Sequence, residues 1–476
     1  MPQDATAKET GAETPILDLL VDHILSARFE DLAGLPLAKS KTFLLDSLGV
    51  GIAGSSGAQL DELLATVQGW GQGDEATVWV TGERLPAGSA AILNAYQIHC
   101  LEYDCVHEGA VVHPMATVLS ALMAYAERRS ARGTPVTGKD FLLALALGVD
   151  VATLLGVAAT GPIRFFRPAT CGGLGAAAAL ARLEGLDATG VKDALGCMYG
   201  QTSGTLQPHV EGSPVLGLQI GFNARGALGA VDLAKAGFRG PRDMIDGQHG
   251  YLRLFEGDQF DLSQIRPLIG REWQITQLAH KPFPAGRLTH GAVDALNKLQ
   301  SAHGFSAEDV ARIDGRVPPL VMNLVGRPDV PAPEPNYAKL CLRFVAACRL
   351  VKGRVDIPEF NDRAVLNDPA VHDLAARVHL ELDDNPDVNA LAPQWFKITL
   401  KDGAEHEIHL PQVYGHPEAA LTDAENLEKF RRVTGFARAP IPPAQADALI
   451  EAVERIETLS DAAALAGHCV IEGTRA

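Results

Sequence analysis

From Ile16 to about Asp258, apolar residues recur every three or four positions, with Gly or Pro breaks between segments. That spacing gathers apolar groups on one face of a helix, whereas a half-buried strand needs strict alternation. The spacing predicts helices over 16–28, 38–53, 89–103, 116–129 and 139–159. Few segments before residue 300 alternate with period two. The run from Gly175 to Leu183 is almost all Ala and Leu, and such a helix packs closely between neighbours. A large helical body is therefore expected for the first half of the chain.

The texture changes after about Leu278. Val310–Val317 and Val378–Leu382 read as strands, and 395–410 reads as a hairpin turning at Asp402-Gly403. Helical patterns at 289–301, 338–351 and 369–377 interleave with them, and 422–433 and 444–459 are helical again. The expected fold is mainly α with a smaller α+β domain. It divides into a disordered tail (1–14), a helical domain built from both chain ends (15–277 and 411–476) and an inserted α+β lid (278–410).

Charge and cysteine content narrow the partners. Among 476 residues, 41 Lys and Arg stand against 58 Asp and Glu, a formal net charge of −17. Nucleic acid and anionic membrane both require clustered positive charge, so neither is an expected partner. The apolar stretch 141–157 carries Asp150 and reads as too short to span a bilayer. Seven scattered cysteines without a C-x-x-C pair indicate neither a disulfide framework nor a structural zinc site, and reduced thiols fit a cytoplasmic enzyme.

Three polar clusters could carry chemistry. The first, 101–114, places Glu102, Tyr103, Asp104, His107, Glu108 and His113 between two helices. Its histidines and carboxylates suit acid–base work, but no H-E-x-x-H spacing supports a metal. The second, 161–175, sets Arg164 and Arg167 ahead of a Gly-rich helix entry, a cradle suited to a carboxylate or phosphate. It lacks the third Gly and the preceding strand of a dinucleotide site. The third, 281–290, holds Lys281, Arg287 and His290 between the two units. A loop at 200–212 adds Gln207 and His209. For each cluster the plain alternative is a solvated loop or a close helix contact.

The runs AAILNAYQIHCLEYDCVHEGAVVHPMATVL (90–119), RFFRPATCGGLGAA, KPFPAGRLTH and GSPVLGLQIGFNARGALGAVDLAKAGFRGP (212–241), with the late LTDAENLEKFRR, together resemble the MmgE/PrpD family. That family includes 2-methylcitrate dehydratases, cis-aconitate decarboxylases and iminodisuccinate epimerases. The resemblance implies a helical domain with an α+β lid, a homodimer, and no metal, flavin or nicotinamide cofactor. It places the family's acidic motif on Glu102, Tyr103, Asp104 and Cys105, its histidine before proline on His113, its boundary lysine on Lys281, and nearby basic positions on Arg287 and His290.

The chain departs from the family's Asp-Tyr-Asp-Asp at Glu102 and Cys105. Decarboxylase-like members carry a His where Arg167 stands and a Lys near Gln207, and a lid tyrosine of some members falls where Asn323 and Leu324 stand. These departures count most against cis-aconitate decarboxylation. The resemblance implies a hydro-lyase, or alternatively an epimerase or decarboxylase, that moves a proton next to a carboxylate of a small di- or tricarboxylate. A non-catalytic carboxylate-binding relative is the third reading. His113 is the expected base, with Asp104, Lys281 and His107 beside it. Arg167, Arg287, His290, Arg164, Tyr103, Gln207 and His209 are the expected substrate contacts.

Overall fold

The computed structural model describes residues 13–471 and Gly473; most of the expected disordered tail lies outside them. The chain is mainly α-helical with a smaller sheet-containing unit. Helix Arg167–Glu184 runs through the helical body, packing against Gly138–Val157, Pro114–Ala131, Ala188–Tyr199 and Val215–Lys235. Helix Ala87–His99 lies against Pro114–Ala131 and Val215–Lys235. From the other chain end, Asp423–Thr434 packs on Leu35–Ala53.

The small residues of Arg167–Glu184 allow its close approach to Gly138–Val157. A Cβ on Gly175 would press into the carbonyl of Gly148 and lie 2.7 Å from the Ala152 Cβ. Both obstacles are main chain or rigid, so Gly175→Ala should cost about 1–3 kcal/mol, the usual penalty of overpacking. Urea denaturation checks this, and an unchanged midpoint would show that the two helices can part without loss.

Gly138–Val157 differs from its sequence reading in length. At 20 residues it is long and apolar enough to cross a membrane, because Gly138, Lys139 and Asp140 extend it beyond the apolar run. Of its most apolar 18 residues, 89% are buried inside the protein. Its Asp150 accepts hydrogen bonds from His23 Nε2 (2.9 Å) and the Gln274 amide (2.7 Å).

The sheet has four strands in the order Val378–Leu382, Val310–Val317, Gln394–Leu400, Glu405–Leu410. The first pair is parallel and the other two are antiparallel. Buried apolar side chains form two clusters. One draws on residues 16–278 and 430–471, with Leu340 and Ile357, and the other on residues 285–413. Where they meet, Val106–His107 pairs antiparallel with Leu278–Ala279, holding the 101–113 loop beside the segment that carries Lys281.

Candidate active site

The loop that builds the site begins where helix Ala87–His99 stops. The apolar spacing continues to Tyr103, but the helix stops at His99, and Glu102 at φ 54°, a left-handed backbone, turns the chain back. Val111 also has positive φ, at 55°, an uncommon conformation for a β-branched residue. His113 precedes Pro114, the first residue of the next helix. A residue before proline is pushed out of the helical region, and His113 accordingly sits at φ −99°, ψ 83°.

His113 lines a pocket between the two apolar clusters, together with His99, Glu102, Glu108, His209 and Arg287. Apart from these six and Gly286, every lining side chain is apolar. Asp104, fully buried behind them, joins two imidazoles. His99 Nδ1 is 3.1 Å from both of its oxygens, and His113 Nδ1 is 3.4 Å from Oδ2 and 3.0 Å from the Cys105 carbonyl. His99 Nε2 faces Glu102 at 3.3 Å, and the other Glu102 oxygen accepts from Lys281 Nζ at 3.0 Å.

These contacts divide the charge states. Burial disfavours a charged His99, but the Asp104 and Glu102 carboxylates outweigh it and lift the imidazole to about 9. His113 moves the other way, lowered by burial and then by the Lys281 charge. Burial also opposes ionisation of Asp104 and Glu102. His99 and His113 nevertheless hold Asp104 well below its ordinary value, and Lys281 and His99 do the same for Glu102. The floor thus pairs a neutral histidine with a charged one across a single carboxylate.

Ligand atoms of His99, Asp104 and His113 all lie within 4.8 Å of one another, so these three residues could hold a cation. The neighbouring Lys281 charge and the protonation of His99 both work against one.

Of the expected substrate contacts, the pocket gathers Arg287 and His209. Arg287 donates to Glu108 at 2.7 Å and to the carbonyls of Tyr414 and Val413. His209 receives Arg327 Nη2 at 3.0 Å, and burial followed by that charge brings it down to about 4. Of the expected catalytic set, His113 lines the pocket, with Asp104 and Lys281 directly behind it.

The remaining expected residues stand elsewhere. Arg167 is fully buried and committed to Glu256 at 2.8 Å. Tyr103 donates to the Pro282 carbonyl and accepts from Arg432, facing away from the pocket. His290 lies beneath Arg287, with its ring nitrogens near the Arg287 guanidinium and the Ala285 carbonyl. His107 faces Gln274 and accepts from the Ala110 amide, and burial holds it near 4. Arg164 and Gln207 are exposed, the latter bonded to Glu211.

Sequence reasoning passed over His99 and Lys339. His99 lay inside a quoted run but read as one more helix residue; its signal was a position five residues before Asp104, across a helix end. Lys339, 3% exposed, donates to the Cys100 carbonyl at 3.2 Å, and burial lowers its pKa. No local pattern marks it.

The charge states predict how stability varies with pH. His99 binds its proton more tightly when folded, so its contribution is complete below pH 6.5 and is lost as pH rises through about 9. His107 and His209 are held neutral when folded, so their contribution is present above 6.5 and is lost as pH falls towards 4. Protonation of Asp104 and Glu102 steepens the acid side. Denaturant midpoints should therefore peak near neutrality, and His99→Gln should flatten the alkaline side and, by weakening the hold on Asp104 and Glu102, soften the acid side as well. An unchanged alkaline slope in that variant would contradict the charged His99.

Comparison with known proteins matches two family models to the chain. The family model for the MmgE/PrpD N-terminal domain matches residues 18–263, and that for the MmgE/PrpD C-terminal domain matches residues 283–458. The chain is 29% identical over 444 residues to a cis-aconitate decarboxylase of Homo sapiens, covering 90% of this chain and 89% of the relative. It is 27% identical over 451 residues to a cis-aconitate decarboxylase-like protein of Aspergillus oryzae, covering 90% and 92%. A cis-aconitate decarboxylase of Aspergillus terreus is 24% identical over 428 residues, covering 85% and 86%.

Proposed function

Because the chain belongs to the MmgE/PrpD family, we propose that it is a lyase working without a cofactor on a small carboxylic acid, with loss of CO2 as its reaction. The observation that carries this reading is His113, kept neutral by burial and the Lys281 charge, in a largely apolar pocket that His99 and Arg287 also line, with Lys281 directly behind. The chain is similar throughout its length to relatives named as cis-aconitate decarboxylases, and these favour CO2 loss over the dehydration first expected.

In this reaction the bond from carbon to the departing carboxylate breaks, and its electron pair stays on carbon in conjugation with a neighbouring carboxylate. Fixed cations stabilise that developing charge, the part given to Lys281, His99 and Arg287. His113, neutral in the free site, takes a proton from solvent and passes it to that carbon, which completes the step.

Water loss is the second reading, since the same histidine could remove a proton next to a carboxylate. Residues 278–410 serve as a lid over the pocket in this proposal, and a cytoplasmic homodimer is the form the family resemblance supports. Incubation with cis-aconitate and 2-methylcitrate tests the reaction. CO2 release supports the first reading, and a new enoate absorbance without CO2 supports the second. Neither, across a broad panel of acids, would sink the lyase.

A further inference from the structure

The walls and the floor of the pocket make different demands on a ligand. On the floor, the cations His99, Lys281, Lys339 and Arg287 converge with three carboxylates, Glu102, Asp104 and Glu108. Glu102 takes contacts from both His99 and Lys281, while Arg287 is occupied by Glu108 and two backbone carbonyls. The floor therefore has a surplus of about one positive charge, and Arg327, which bonds the pocket-lining His209 without lining the pocket itself, adds a second. Two carboxylates would neutralise these, whereas a third would enter with no cation to meet it.

The walls offer a third carboxylate nothing either. Val111, Ile163, Leu206, Leu320, Leu324 and Leu391 come from both units and present only carbon to the pocket. A carboxylate against that surface loses its water without gaining a hydrogen bond, which is costly. A branched alkyl group of the same shape gains by leaving water.

We infer that the substrate is a dicarboxylate with a short alkyl branch where a tricarboxylate has its third carboxylate. This inference rests on the proposed lyase reading for the site's chemistry, but its test does not depend on turnover. Tricarballylate and 2-(2-methylpropyl)succinate have nearly the same shape, an isopropyl group replacing one carboxylate, so differences in size cancel. Isothermal titration of the wild-type protein should show the alkyl acid binding at least tenfold more tightly. Leu324→Arg, at a partly exposed position, should shift the ratio at least tenfold towards tricarballylate.

A wild-type ratio near one, a preference for tricarballylate, or binding of neither acid overturns the inference, as does a ratio that Leu324→Arg leaves unmoved. The lyase reading fails by a different result. If no unsaturated acid loses CO2 and no hydroxy acid loses water, alkylated or not, while the binding preference holds, the chemistry is wrong and the pocket's selectivity stands.

Discussion

His113→Ala should lower kcat by about 10²–10⁴-fold while leaving the melting temperature within a few degrees of wild type. The magnitude is that of losing one positioned acid–base group. The retained fold follows from the contacts of His113: its ring lies 3.0 Å from the Cys105 carbonyl and 3.4 Å from Asp104, and Asp104 keeps His99 as a second partner. No buried charge is therefore stranded by removing it. Lys281→Ala is the instructive contrast. It takes a fully buried ammonium from Glu102, so it should lose both activity and stability. Steady-state rates and thermal melts on the two variants separate these roles. A wild-type rate in His113→Ala would remove it from the chemistry whatever the stability result.

How much of this was readable beforehand depended on the range of the interaction. The hairpin was legible because its signal is local: alternation on both arms and Asp402-Gly403 at the turn, with Gly403 at φ 90°. Strands Val310–Val317 and Val378–Leu382 were legible for the same reason. The predicted helix over 89–103 ran too far, because Leu101 and Tyr103 keep the apolar spacing while Glu102 adopts a backbone that spacing does not report.

The site was legible as a place more than as a set of partners. A loop with two histidines and three carboxylates between helices announced itself, and His113 before Pro114 reaches the pocket. Which basic residue answers which acid could not be read off, because the pairs are far apart in the chain. Lys281 and Glu102 are 179 positions apart, as are Arg287 and Glu108. A guanidinium in a Gly-rich helix entry looks the same in sequence whether it awaits a ligand or already holds an internal acid. Arg167 is the case in point.

Glu256→Ala should destabilise the protein by about 3–5 kcal/mol, the usual result of stranding one member of a buried ion pair. Arg167 is 0% exposed and Glu256 2%, and both carboxylate oxygens are engaged, by Nε at 3.1 and 3.2 Å and by Nη2 at 2.8 Å. Without the carboxylate, the guanidinium keeps only long contacts of 3.4 Å to the Ala110 and Gly161 carbonyls. Replacing both partners by apolar residues, Arg167→Met with Glu256→Leu, removes the stranded charge and should recover most of the loss. Turnover in that double variant decides what Arg167 is for. Its neighbours Phe166 and Pro168 line the pocket, so a structural Arg167 holds their helix entry in place and the double variant keeps measurable activity. A double variant that melts like wild type yet turns nothing over would show instead that Arg167 leaves Glu256 to hold the substrate.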